Sequence, residues 1–226
     1  MTSAVPRTAA STEEIVETVE RMLSAGSLPP IVQAGPPALR QRAAEVDGQL
    51  SAEQLGRLVA VMRQVMHEAP GVGLAAPQLG IPLQLAVVED HYDVDPDAAA
   101  RRNREPLDFL AIVNPRYTPV GEALASFYEG CLSLNGLQAV VARPETVLLE
   151  FQTLDGAAER REFSGWQARI VQHETDHLNG ILYIDRAQLR SLSSNAEYAA
   201  HWAEAGIGKA REGLGFDDGP AGISVC

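Results

Sequence analysis

A chain of 226 residues is long enough for one domain with a full hydrophobic core, and its 46% hydrophobic and 21% charged residues are ordinary for a soluble globular protein. Its formal net charge of −12 argues against broad binding to DNA or to anionic membranes, because no basic excess is available to release counterions. No stretch approaches the about 18 apolar residues of a membrane span, and residues 1–10 lack the apolar core of a signal peptide. The two cysteines, Cys131 and Cys226, are too few for a disulfide framework. We therefore expect a protein of the reducing cytoplasm.

Helical periodicity dominates the first third of the chain. Apolar residues at helical spacing predict helices over residues 12–24 and 52–68, and Ser51 is placed to cap the second helix. The Pro/Gly-rich stretch over 26–37 predicts an extended segment that crosses the surface between them.

The middle of the chain predicts short strands, over residues 84–88, 109–113, 137–141, 146–151 and 181–184. The polar segment 89–107 between the first two strands predicts a mobile surface insertion. A helix is predicted over 187–203, before a glycine-rich tail that begins at residue 206. Strands that are grouped before a late helix indicate a single α+β domain over residues 1–226. We expect short antiparallel sheets packed around a central helix, with a further helix near the C-terminus.

The sequence His173-Glu174-Thr175-Asp176-His177 carries the chemistry of this chain. Two histidines four residues apart lie on one face of a helix, where their ring nitrogens can bind one metal ion. Glu174 can then reach a water molecule at that metal and act as its general base. Two buried core histidines would be the alternative, but the complete H-E-x-x-H pattern favours a metal site.

Local signals predict that this pattern lies on the central helix. Ser164 and Gln167 form an S-x-x-Q capping box, and Gly180 stands where a left-handed residue would end the helix. Trp166 and Ile170 continue the stripe of the two histidines at helical spacing. The histidines are therefore expected to face inward, into a sheltered site.

A catalytic metal site commonly has three protein ligands, so a third ligand is needed. Glu197, downstream of the second histidine, would make the chain resemble a thermolysin-like metallopeptidase. Cys131, upstream and directly after a glycine, offers a thiolate, which binds divalent metals strongly. The residues alone favour Cys131 but leave both ligands open.

Three stretches of the chain, residues 71–78, 129–133 and 172–177, resemble the three signature motifs of peptide deformylases and occur in the same order. The resemblance spans about residues 36–190, which would be the catalytic core. It does not account for an N-terminal helical extension over residues 1–30 or for the tail over 206–226, which we expect to be flexible.

The resemblance implies that Cys131, His173 and His177 hold a divalent metal, with iron(II) as the native ion and zinc, nickel or cobalt as substitutes. The two-His, one-Cys set by itself would suggest zinc. The implied substrate is the N-formyl group on the initiator methionine of a newly synthesised bacterial or organellar polypeptide. A transient association with the exit region of the ribosome is expected from such a substrate.

The resemblance also assigns catalytic roles. Glu174 would take a proton from the attacking water and deliver it to the departing amine. The side-chain amide of Gln78 and the backbone N–H of Leu132 would stabilise the negative charge on the former formyl oxygen. Without the resemblance, Gln78 would be read as a plain polar loop residue.

An apolar pocket is needed for the methionine side chain of this substrate. The candidate substrate-binding residues lie in the three motifs or one to two turns before the first histidine: Val72, Gly73, Gly130, Trp166 and Ile170. Trp166 and Ile170 could equally belong to the hydrophobic core.

Two other functions remain open at this stage. One is an H-E-x-x-H metallopeptidase that uses Glu197 as its third metal ligand. The other is a non-catalytic, ribosome-associated module with a structural metal, which is disfavoured because Glu174 and Gln78 are needed only for turnover.

Overall fold

The computed structural model describes residues 11–217 and shows an α+β fold, as predicted. Six α-helices occur in the described part of the chain: α1 (Thr12–Ser24), α2 (Ala52–Glu68), α3 (Pro96–Arg102), α4 (Gly165–Leu178), α5 (Asn195–Glu197) and α6 (Gly208–Leu214). The strands are β1 (Gly73–Ala75), β2 (Leu85–Asp90), β3 (Leu107–Pro119), β4 (Leu124–Gly130), β5 (Leu137–Pro144), β6 (Thr146–Gln152), β7 (Ala158–Ser164) and β8 (Ser193–Ser194). Among residues 11–217, no helix has the length and apolar character needed to cross a membrane.

The strands form two antiparallel sheets. The first has five strands in the order β1-β2-β3-β6-β7, and the second has three in the order β4-β5-β8. Helix α4 packs on the first sheet, where Ile170, Val171 and Leu178 join a buried cluster with strand residues such as Val88 and Ile112. Each such side chain stabilises the folded state by about 1.5–3 kcal/mol when it is buried, so α4 is firmly attached to this sheet.

The two N-terminal helices begin and end as the sequence predicts. Ser11 and Ser51 each accept a hydrogen bond from the backbone N–H three residues later, in complete capping boxes. Ile15 and Val19 of α1 are buried in the same cluster as the apolar stripe of α2. The N-terminal segment, as far as it is described, therefore packs on the core; residues 1–10 lie outside the described residues.

The start of α4 differs from the prediction, although its end does not. Ser164 is the N-cap residue but its side chain makes no capping hydrogen bond. The Gln167 side chain donates instead to the carbonyl of Pro106, at 2.7 Å, because the insertion before β3 lies beside this helix. At the other end Gly180 adopts the predicted left-handed conformation, with φ of +75°.

The predictions for the C-terminal third were wrong in several places. Residues 181–184 do not form a strand; a 3-10 turn occurs at Tyr183–Asp185. The helix predicted over 187–203 is broken, because Ala187 bridges Val141 and β8 pairs with β5. A short helical segment remains, made of α5 and a π-helical turn at Tyr198–Trp202.

The chain beyond residue 206 was expected to be flexible, yet its described part is packed. Helix α6 buries Ala210, and Phe216 after it is also buried, in a cluster with Tyr128 and Val140 of the three-stranded sheet. Residues 218–226, including Cys226, lie outside the described residues.

The insertion over residues 89–107 was expected to be mobile, but it contains α3 and is anchored at both ends. Arg104 donates two hydrogen bonds to the buried carboxylate of Asp90, at 2.8 and 2.7 Å. The insertion is therefore held as a fixed part of the molecule next to α4.

Candidate active site

The two histidines of α4 and the cysteine that follows β4 come together in one place. The ligand atoms of Cys131, His173 and His177 all lie within 4.8 Å of one another. The Cys131 Sγ atom is 3.2 Å from His177 Nε2, and the centres of the two imidazole rings are 4.9 Å apart. A thiolate with two imidazole nitrogens at this spacing can hold one divalent transition metal.

The alternative ligand, Glu197, is not part of this group. Its side chain is exposed and lies 3.4 Å from the ring of His201, on the same helical segment. Of the two candidates for the third metal ligand, the structure places Cys131 with the histidines and Glu197 away from them.

Glu129, two residues before the cysteine, orients the first histidine. Its carboxylate oxygen lies 3.0 Å from His173 Nδ1, which favours a proton on this nitrogen and leaves Nε2 as the ring nitrogen that can bind a metal. Burial alone would raise the pKa of Glu129, but Arg143 and Arg169 hold its pKa well below the usual range. The carboxylate is therefore charged and available as an acceptor.

A buried arginine connects this carboxylate with a second one on α4. Arg143 of β5 donates to Glu129 at 2.6 and 3.0 Å and to Asp176 at 2.8 Å, and only 2% of its side chain is exposed. Arg169 adds a further bond to Glu129 at 2.5 Å. Asp176 also accepts hydrogen bonds from Arg186 and from the hydroxyl of Tyr117.

The sequence alone does not reveal this network. Because one arginine in an apolar strand gives no signal of its partners, Arg143 could not be distinguished from a residue at the surface. Glu129 had a weak signal, since it lies in the same motif as the cysteine.

Glu174 is buried directly beside the metal-ligand group. Its Oε2 atom has no hydrogen-bond partner among residues 11–217, and burial raises its pKa to about 7. It packs so closely on β1 that a Cβ atom added at Gly73 would lie 2.3 Å from Glu174 Oε1. The glycine therefore makes room for this carboxylate.

Gln78 is also buried, and its amide has a fixed orientation. Its Oε1 atom accepts the backbone N–H of Ala75 at 2.8 Å, so its NH2 group faces the cysteine loop. There the Nε2 atom donates to Ser133 Oγ at 3.2 Å and lies 3.8 Å from Cys131 Sγ. Leu132, between these two residues, accepts a hydrogen bond from Gln33 through its carbonyl, at 2.9 Å.

A cleft of about 700 Å³ opens next to these groups. All five candidate substrate-binding residues line it: Val72, Gly73, Gly130, Trp166 and Ile170. The lining also includes residues that the sequence did not indicate, among them Arg102 of the insertion, and Asn195 and Tyr198 of the C-terminal segment.

Comparison with known proteins agrees with this geometry. Residues 28–192 match the family model for polypeptide deformylase. The chain is 50% identical over 212 residues to peptide deformylase 3 of Streptomyces avermitilis, covering 94% of this chain and 95% of that protein. It is also 50% identical over 208 residues to peptide deformylase 1 of Streptomyces coelicolor, covering 92% and 95%.

Solved structures share the fold. The class I type b peptide deformylase from Acinetobacter baumannii, with Met-Ala-Ser bound, gives a TM-score of 0.63 at 34% identity, covering 71% of this chain and 100% of that one. The peptide deformylase from Thermotoga maritima gives 0.59 at 32% identity, covering 72% and 99%. On the family match and these identities together, the chain belongs to the polypeptide deformylase family.

Proposed function

We propose that this chain hydrolyses the N-formyl group from the terminal methionine of newly synthesised polypeptides and releases formate. The observation that carries the proposal is the convergence of Cys131, His173 and His177 beside a buried Glu174 at one end of the cleft. The family relationship supports the same reaction, since the matching proteins are named peptide deformylases.

The three convergent side chains are the proposed metal ligands. Their donor set, one thiolate and two imidazoles, fits a divalent transition metal, and Glu129 leaves the correct nitrogen of His173 free for it. Iron(II) is the ion proposed from the family resemblance, with zinc, nickel or cobalt as substitutes. When bound, such an ion lowers the pKa of water and polarises a carbonyl group.

Glu174 is the proposed general base. It removes a proton from the attacking water and returns it to the amine nitrogen when the bond to the formyl carbon breaks. Burial supports this role, because a carboxylate with a pKa of about 7 can both accept and release a proton near neutral pH. The close contact with Gly73 holds the carboxylate in one position.

Gln78 and Leu132 are the proposed donors to the developing negative charge on the formyl oxygen. The orientation of the Gln78 amide supports this role, since its oxygen is bound to Ala75 and its NH2 group faces the cysteine loop. Fixed donors of this kind stabilise a transition state without reorganising during the reaction. The methionine side chain is proposed to occupy the cleft lined by Val72, Trp166 and Ile170.

The cellular setting follows from the substrate. Formylated chains emerge from the ribosome, so we propose that this protein acts in the bacterial cytoplasm and associates transiently with the ribosomal exit region. The net charge of −12 favours a localised contact over a broad one on ribosomal RNA.

The metal ligands are tested by comparing two variants, Cys131→Ala and Glu197→Ala. Release of formate from a formyl-Met tripeptide and metal content are measured on each, with an acetyl-Met tripeptide as the substrate control. We expect Cys131→Ala to lose both metal and turnover and Glu197→Ala to retain both. The reverse result would support the metallopeptidase arrangement, and cleavage of an internal peptide bond would overturn the proposed reaction.

A further inference from the structure

Three arginines surround Trp166, one of the residues that line the cleft, and two of them, Arg102 and Arg169, line it as well. The guanidinium carbons of Arg102, Arg104 and Arg169 lie 5.1, 5.5 and 5.7 Å from the ring centre of Trp166. Trp166 is about two turns of α4, or about 10 Å, before His173, so this group stands at a distance from the metal ligands.

Two of these three cations have carboxylate partners. Arg104 is paired with Asp90 through two hydrogen bonds, and Arg169 is paired with Glu129. Neither is available to a ligand, because each charge is already compensated by a buried carboxylate.

Arg102 differs from both. Among residues 11–217 it has no carboxylate within ion-pair distance, and its Nε atom is buried without a hydrogen-bond partner. Within the described part of the chain it makes one hydrogen bond, a long one, 3.4 Å from Nη2 to the carbonyl of Glu204. A guanidinium has five N–H donors, so most of its capacity to bind an anion is unused.

The position of this cation is fixed by its surroundings. The Arg102 guanidinium lies over Trp166 and also 5.8 Å from the ring centre of Phe127, and these two rings contact each other edge to face. On the same helix, Arg101 packs so closely on Gly206 that a Cβ atom there would lie 2.5 Å from its Nε. The insertion and the C-terminal segment are therefore packed against each other beside α3.

We propose that Arg102 is a specificity-determining residue that favours substrates with a carboxylate side chain at the second or third position. The inference rests on the proposed function. In an extended peptide the second and third Cα atoms lie about 6 and 10 Å from the formyl carbon, so a side chain at either position can reach the Arg102 guanidinium, which lies over Trp166 beside the pocket proposed for the methionine side chain. A planar guanidinium binds a carboxylate through paired hydrogen bonds. Here it would also offset the repulsion between the substrate carboxylate and a protein with a net charge of −12.

The test compares peptides that differ only by a carboxylate and an amide: formyl-Met-Asp-Ala against formyl-Met-Asn-Ala, and formyl-Met-Ala-Asp against formyl-Met-Ala-Asn, all with amidated C-termini. We expect kcat/KM of the wild-type protein to favour aspartate by about fivefold in at least one pair, as for a partly exposed ion pair. Arg102→Gln should bring this ratio to about one. Arg160→Gln, which changes an exposed arginine of β7 that does not line the cleft, should keep the wild-type ratio.

A second readout does not depend on turnover. The deformylated products with aspartate and asparagine are titrated into the wild-type protein and Arg102→Gln by calorimetry, and the same preference should be present in the first and absent in the second.

If Arg102→Gln does not fold, the wild-type preference must still fall as salt is raised, because an exposed ion pair is screened. A wild-type protein without preference, or a preference that survives in Arg102→Gln, overturns the inference. Failure to deformylate any peptide would overturn the proposed function instead, and the product titration would still decide the role of Arg102.

Discussion

The close packing of Gly73 against Glu174 makes a single methyl group a sensitive probe of the proposed catalytic carboxylate. In Gly73→Ala the added Cβ would lie 2.3, 2.6 and 2.7 Å from the Oε1, Cδ and Cγ atoms of Glu174. Carbon atoms in contact are normally about 3.5–4.0 Å apart, so the side chain must move by about 1 Å. Strand β1 cannot move away easily, because its three residues are buried and paired with β2.

A displacement of about 1 Å from a reactive geometry lowers the rate by about 10²-fold. We therefore expect kcat of Gly73→Ala on a formyl-Met tripeptide to fall by about this factor, with the three metal ligands intact and metal content unchanged. Gly73 does not have a positive φ, so the alanine itself introduces no backbone strain.

The control is Gly56→Ala on α2, where an added Cβ meets nothing within 4 Å. It should leave kcat unchanged and stabilise the protein by about 0.5–1 kcal/mol, since alanine is favoured over glycine inside a helix. The measurements are steady-state kinetics, metal content and thermal unfolding on both variants. A Gly73→Ala protein that folds, binds metal and turns over within about threefold of wild type would refute this reasoning.

Three further predictions concern the donors and supports of the site. Gln78→Ala should lower kcat by about 10²–10³-fold in the same kinetic assay, and a loss below about fivefold would count against its role as a donor. Glu129→Gln should weaken metal affinity by about 10–100-fold in chelator competition, because His173 loses its charged acceptor; unchanged affinity would show that another group orients the ring. Gly180→Ala should destabilise the protein by about 1–3 kcal/mol in denaturant unfolding, since φ is +75° and the new Cβ would lie 2.7 Å from the carbonyl carbon of Arg40. An unfolding midpoint equal to that of wild type would contradict the last prediction.

Much of the fold could be predicted because several elements carry strong local signals. Helices α1 and α2 combine a serine cap with an apolar stripe, and the structure has them at the predicted bounds. Strand β7 was missed because only Phe163 in it is buried, so its exposed charged residues give no strand pattern. The helix predicted over 187–203 was wrong because pairing of β8 with β5, a tertiary contact, prevails over local helical preference.

The residues of the candidate site were also only partly predictable from the sequence. His173 and His177 could be paired from their spacing, whereas the choice of Cys131 over Glu197 rested on the resemblance to the deformylase motifs. Arg143 and Arg102 could not be predicted, since their importance depends on partners far away in the sequence or on the lack of one. The role of a buried charge is set by the chain packed around it, which a single sequence does not show.

The proposed reaction removes formyl groups by means of a metal held by one cysteine and two histidines. The most direct measurement is release of formate from a formyl-Met tripeptide by protein purified without oxygen, with metal content determined on the same sample, for wild type and Glu174→Ala. We expect turnover with about one iron or other divalent metal per chain in the wild type, and equal metal with almost no turnover in the variant. Metal-loaded wild-type protein that leaves the formyl group intact, or a Glu174→Ala protein with near-normal activity, would contradict it.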